Sequence, residues 1–84
     1  MKSTVTPDFF RLLNALPREV QQLAFKNYQL WLENQGHPSL HFKPSRGGLW
    51  SVRVGGHYRA CGVWIAPDSF RWTWIGTHEE YNKL

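Results

Sequence analysis

Four residues in this sequence have the types and spacing to handle a phosphodiester: Arg53, Arg59, His78 and Tyr81. Cleaving an RNA chain at its own 2′-hydroxyl needs three things. A base takes the hydroxyl proton, cations hold the crowded phosphate, and an acid protonates the leaving 5′-oxygen. His titrates near neutral pH and can fill either proton-transfer role. Arg supplies a fixed charge in a planar, bidentate form. Tyr can orient a base by stacking, or move a proton if its pKa is perturbed. His78 and Tyr81 stand three apart, so one helical turn would project both to one side. The same residues have plainer uses. His78 and Tyr81 could pack a terminal turn against a sheet, and Arg53 and Arg59 could form a solvated face paired with Glu79 or Glu80.

Lys43 and Arg46 flank a glycine-containing loop and read as phosphate or partner contacts rather than as reacting groups. The lone Cys61 excludes an internal disulfide and a Cys-pair metal site, and reads as a small strand residue. His37 and His41 read as structural or solvent-facing. Four His without acidic or Cys companions at ligand spacing imply no metal and no cofactor. Gly47-Gly48 and Gly55-Gly56 are turn glycines and do not fit a phosphate-loop pattern.

The elements that must position these groups belong to one small domain spanning residues 1–84. A chain of this size buries only about 60% of its unfolded surface. That excludes a doubly wound nucleotide-binding sheet. Aromatic residues make up 15% of the chain, and large rings help a small core reach useful stability. Ten Lys+Arg against six Asp+Glu give +4, and six of the ten are Arg. This balance suits nucleic acid or an acidic protein partner, and equally suits ordinary solubility. No apolar run approaches a membrane span and no signal region opens the chain, so a cytoplasmic protein is expected.

Thr6-Pro7-Asp8 starts a helix carrying Phe9, Leu12, Leu13 and Leu16 at helical spacing. Pro17 ends it and opens a second helix with Val20, Leu23, Ala24, Tyr28, Trp31 and Leu32 in one stripe, stopped at Gly36. So short a connection predicts an antiparallel helical hairpin. After Pro38 the period changes to two, giving strands at Leu40–Lys43, Leu49–Val54, Tyr58–Ile65 and Phe70–Ile75, with a loop at Pro44–Gly48. The polar tail from Gly76 reads as one helical turn. The fold class is therefore α+β, a helical hairpin on a twisted antiparallel sheet of about four strands.

Hairpin register decides which residues share a face. A three-residue loop ending at His57 sets Val54 opposite Tyr58, Val52 opposite Ala60, and Arg53 opposite Arg59. That register sorts apolar from polar. It also leaves two Arg side by side on the exposed face, which structure disfavours and anion binding favours. For the next hairpin, a five-residue loop from Ile65 to Ser69 pairs Trp64 with Phe70, Gly62 with Trp72 and Ala60 with Trp74, leaving Arg71 and Thr73 on the Arg59 face. A four-residue loop would instead put Trp72 and Trp74 there, and the pattern leaves both open.

Three segments carry a family resemblance: Leu40-His41-Phe42-Lys43-Pro44, then Trp50-Ser51-Val52-Arg53-Val54-Gly55 running into Tyr58-Arg59-Ala60, and Trp74-Ile75-Gly76-Thr77-His78-Glu79-Glu80-Tyr81. Together they make the chain, from Thr6 to Leu84, resemble the RelE/ParE superfamily of toxins from type II toxin–antitoxin pairs. The resemblance implies a growth-inhibiting toxin neutralised by a cognate antitoxin, and in RelE-like members metal-independent cleavage of mRNA on the ribosome. It places Arg59 at the position that stabilises the scissile phosphate, Arg53 at a basic phosphate contact, His78 at the acid/base position and Tyr81 at a C-terminal aromatic position. ParE-like members share the fold and poison DNA gyrase without chemistry of their own. A non-toxic RNA- or protein-binding module is the third reading. The family opens with a full strand, for which this chain offers only a short one, Lys2 to Val5.

Overall fold

The computed structural model describes all residues, Met1–Leu84. Strand β1 (Lys2–Val5) leads into helix α1 (Pro7–Asn14), and α2 (Arg18–Glu33) follows after three residues. Then come β2 (Lys43–Pro44), β3 (Trp50–Val54), β4 (Tyr58–Ala66), β5 (Ser69–Thr77) and the short terminal helix α3 (His78–Asn82). The sheet order is β1-β5-β4-β3-β2. All neighbours are antiparallel except β1, which lies parallel to β5. The sheet thus has five strands where the sequence pattern suggests about four. The extra edge comes from Lys2–Val5, whose polar composition gives little alternation to read.

Thr6 caps α1 as its sequence predicts, its hydroxyl accepting from the Phe9 N–H at 3.1 Å. Helix α2 stops at Glu33, short of Gly36, because Asn34 leaves the helical region and its side chain accepts from the Gly36 N–H at 3.0 Å. Leu32, placed in the apolar stripe by spacing, is 46% exposed at that end. The strand expected over Leu40–Lys43 shrinks to Lys43–Pro44 for a related reason. His41 adopts a left-handed φ of 48°, which interrupts the extended run. Pro44 joins the strand at the sheet's outer edge, where its missing N–H costs no ladder bond.

The core lies between the helices and one sheet face. Trp31 is its hub, 1% exposed, with ring centroids 5.1 Å from Trp72, 5.4 Å from Phe70 and 5.6 Å from Phe42. The indole N–H groups of Trp31 and Trp72 are buried without a hydrogen-bond partner, so ring packing must offset their desolvation. Between α1, α2 and the sheet an apolar groove of about 340 Å³ stays open, with Phe10 and Phe25 exposed among its lining residues. Helices and core thus occupy one face of the sheet, which leaves the other face to the site.

Candidate active site on the open sheet face

The β3–β4 hairpin takes the three-residue loop, with Val52 opposite Ala60, Arg53 opposite Arg59, and Val54 opposite Tyr58. Gly55 permits it. Its φ is +66°, and a Cβ there would lie 2.7 Å from Leu23 Cδ2. The β4–β5 hairpin departs from both registers considered. Trp64 pairs with Phe70 and Gly62 with Trp72, as the longer loop requires, but a β-bulge then shifts the register. Ala60 pairs with Ile75 instead of Trp74, and Trp74 lies opposite Cys61. The extra residue of a bulge reverses which face the following side chains take. Trp72 therefore enters the core, whereas Trp74 joins the Arg59 face.

Two rows cross that face. Lys43, Ser51, Cys61 and Trp74 form one; Arg53, Arg59 and Gly76 form the other. Helix α3 lies over both. Thr77 caps it in a reciprocal box with Glu80, and its first N–H, from His78, donates to the His57 carbonyl at 2.8 Å. The two Thr77 hydrogen bonds, backbone first, hold the Glu80 carboxyl below its usual pKa. Gly76 makes room for this arrangement, since a Cβ there would meet the Trp74 ring at 2.6 Å and Glu80 Oε1 at 2.8 Å.

Because α3 folds back, Arg59 is not on an open surface as its alternation suggests. It is 9% exposed. One guanidinium nitrogen donates to its neighbour's carbonyl, that of Tyr58, at 2.8 Å, and the other faces His78 Nδ1 at 3.4 Å. Burial first, and Arg53 second, lower the Arg59 pKa from its ordinary value, while Tyr81 raises it. The group stays charged, as arginine does in proteins. A guanidinium can only donate, so this contact is a hydrogen bond when His78 Nδ1 carries no proton. Arg53 stays exposed opposite Arg59. Neither has a carboxylate partner, for the chain's single ion pair is Arg11–Asp8 on α1. The plainer expectation that Glu79 or Glu80 would pair with these arginines is not met.

Tyr81 is tied down. Its hydroxyl lies 2.6 Å from Ser45 Oγ and 3.3 Å from Ser51 Oγ. Its ring sits 6.3 Å from that of His78 and 6.4 Å from that of Trp74. Arg46 also holds α3, donating to the Asn82 carbonyl at 3.3 Å, and Lys43 is exposed in the Ser51 row. The structure therefore brings Arg53, Arg59, His78 and Tyr81 together, with Lys43 and Arg46 at the margin. Trp74, Ser45 and Ser51 join them with no role assigned from sequence, although the β3–β4 register puts Ser51 on this face and the four-residue loop would put Trp74 there. Trp74 depends on the bulge, and the serines take their role only once α3 is docked. Cys61 is wholly buried and its thiol is pushed up to about 11 by burial, which leaves it unreactive at neutral pH. No cluster of three His, Cys, Asp or Glu could hold a metal ion.

The sequence matches no protein-family profile and no curated protein. Solved structures do match. The toxin–antitoxin complex RelB–RelE of Methanococcus jannaschii superposes with a TM-score of 0.73 at 13% identity, covering 95% of each chain. The fold is that of the RelE toxins. The YoeB/ParE toxin of Agrobacterium tumefaciens agrees, at a TM-score of 0.71 and 13% identity over 93% of this chain and 99% of that one. YafQ of Escherichia coli BL21(DE3) gives 0.70 at 13% identity over 95% and 96%. In this RelE-like fold, the site just described lies on the sheet face away from α1 and α2, beneath the terminal helix.

Proposed function

We propose that the protein is the toxin of a type II toxin–antitoxin pair and acts as a metal-independent endoribonuclease on mRNA in the ribosome. The observation that carries this reading is a buried guanidinium with no carboxylate to neutralise it, set against an imidazole and a second arginine. Arg59, Arg53 and the His78 ring meet there with no carboxylate among them, and a phosphate is the anion that planar guanidinium donors fit best. The 2′-oxygen attacks phosphorus and the bond to the 5′-oxygen breaks. Arg59 and Arg53 hold the charge that builds on the phosphate. With the phosphate taking up the Arg59 N–H groups, the unprotonated nitrogen of His78 takes the 2′-hydroxyl proton, water protonates the leaving 5′-oxygen, and the hydroxide so formed takes the proton back from His78. The products are a 2′,3′-cyclic phosphate and a 5′-hydroxyl.

Tyr81 fits a positioning role better than the proton-transfer role first considered, because its hydroxyl is engaged by Ser45 and Ser51. Its ring keeps His78 over Arg59. Lys43 would contact flanking phosphates, and Arg46 would hold α3 in place.

An antitoxin partner suits the apolar groove between α1, α2 and the sheet, where Phe10 is 54% and Phe25 is 62% exposed. An acidic segment would complement the +4 chain. The structural relatives from Methanococcus jannaschii and Pyrococcus horikoshii are themselves complexes of RelE with RelB. No helix is long and apolar enough to cross a membrane, which accords with a cytoplasmic site of action.

Induced expression with mapping of mRNA 5′ ends tests the reading. Growth arrest with cuts at A-site codons is expected. Arrest with intact mRNA and broken DNA would replace it with gyrase inhibition, and no phenotype would leave a binding module.

A further inference from the structure

We propose that the part of the open sheet face beyond α3, carrying Arg71 and Lys2, is an outlying binding surface for the backbone of single-stranded RNA. This rests on the nuclease reading and extends it from one phosphate to a strand. Arg71 projects opposite the core residues Phe70 and Trp72 and is exposed. On β1, Ser3 meets Tyr28 of α2 on the helix side, so Lys2 and Thr4 take the open side, where Thr4 lies beside Arg71. Lys2 is exposed as well.

The charge pattern singles this face out. The five strands contain Lys2, Lys43, Arg53, Arg59 and Arg71, and no Asp or Glu at all. By alternation all five bases take the same face. Of the six acids, Asp8, Glu19 and Glu33 lie on α1 and α2, whereas Asp68, whose backbone carbonyl accepts from the Lys2 N–H at 2.8 Å, and Glu79 and Glu80 on α3 border the face. Of these, Glu80 is committed to its own helix cap and Asp68 accepts from the Ser69 hydroxyl. Neither Arg71 nor Lys2 forms an ion pair.

Distance fixes the length of ligand. Arg59 pairs with Gly76, and Arg71 pairs with Val63, four residues further along β4. At about 3.3 Å per residue the two arginines stand about 13 Å apart along the strand direction. Trp74 lies between them on the same face, half-buried, as an aromatic surface for a base. A dinucleotide held at Arg59 is too short to reach Arg71, whereas a longer strand has to pass it. An acidic protein segment would satisfy the charges alone, but has no use for a ring set between two cations.

The test is binding of 2′-O-methyl RNA, which cannot be cleaved, to the intact chain. The probes are a dinucleotide and a decanucleotide, with oligoglutamate as the protein-like comparator. The double variant Lys2→Gln/Arg71→Gln alters only exposed side chains. It should leave dinucleotide affinity unchanged and weaken the decanucleotide about 10- to 30-fold at 0.1 M salt. The slope of log affinity against log salt should fall by about 1.4, the value for two single-strand contacts. An unchanged decanucleotide slope overturns the proposal. So does an equal effect on oligoglutamate, which would assign the surface to a protein. Loss of dinucleotide binding in wild type, with the decanucleotide still bound through Arg71 and Lys2, would refute the Arg59 phosphate site and leave this surface standing.

Discussion

Replacing Tyr81 by Phe tests the way the terminal helix is held. The substitution keeps the ring beside His78 and Trp74 and removes one oxygen. That oxygen is bonded to Ser45 Oγ at 2.6 Å and Ser51 Oγ at 3.3 Å, and Ser51 is only 4% exposed. Deleting it loses net hydrogen-bond energy and strands a buried serine hydroxyl, together about 1–3 kcal/mol. For a domain of this size that lowers Tm by about 4–24 °C. The companion change Ser51→Ala leaves Tyr81 bonded to Ser45 and should cost about 1 kcal/mol. In the double variant the stranded hydroxyl is gone, so the combined loss should fall short of the sum. Thermal or urea unfolding of the four proteins closes this cycle. Additivity within about 0.5 kcal/mol would refute the clasp. Cleavage separates the two roles of Tyr81. Under folding conditions Tyr81→Phe should retain activity within about tenfold, whereas a proton-transfer residue would lose about 10²–10⁴-fold.

Further expectations concern other parts of the structure. Gly62→Ala would drive a Cβ to 2.4 Å from the Arg71 carbonyl, a backbone atom that cannot turn aside, and should abolish the cooperative unfolding transition seen by circular dichroism. Cys61 should resist thiol reagents in the folded protein at pH 8 and react fully in denaturant, because burial pushes its pKa up to about 11. Glu80 has a depressed folded pKa, so its contribution to the α3 cap is complete above the ordinary carboxylate range and is lost as pH falls through the folded value. Glu80→Gln should therefore flatten the acid limb of the stability profile without altering it at neutral pH by more than the lost cap bond.

The β3–β4 register was readable in the residues because only one pairing sorts Val52, Val54 and Ala60 from Arg53 and Arg59. Helix α1 was readable because Thr6, Pro7 and Asp8 each satisfy a local requirement of a helix start. The β4–β5 pairing was not, since its slip comes from packing two indoles on opposite faces, and both simple registers keep Trp72 and Trp74 together. Strand β1 was marked out as a short strand by the family resemblance and not by its own pattern. Lys-Ser-Thr-Val has no apolar alternation and is ordered by the neighbour it finds in β5. In the site, residue types pointed to Arg53, Arg59, His78 and Tyr81, yet the burial of Arg59 and the pinning of Tyr81 follow from how α3 docks. That docking depends on Ser45 and Ser51, whose types announce nothing, and on Arg46, whose charge pointed to phosphate or a partner rather than to the Asn82 carbonyl.

The central claim is that His78 and Arg59 act together on one phosphodiester. Its most direct test is primer extension on a single mRNA in a reconstituted translation system, comparing the wild-type chain with His78→Ala. The account predicts cuts at the codon in the ribosomal A site with the wild type, and a loss of about 10²–10⁴-fold in cutting rate with His78→Ala. Intact mRNA with the wild type, or equal cutting by His78→Ala, would contradict it.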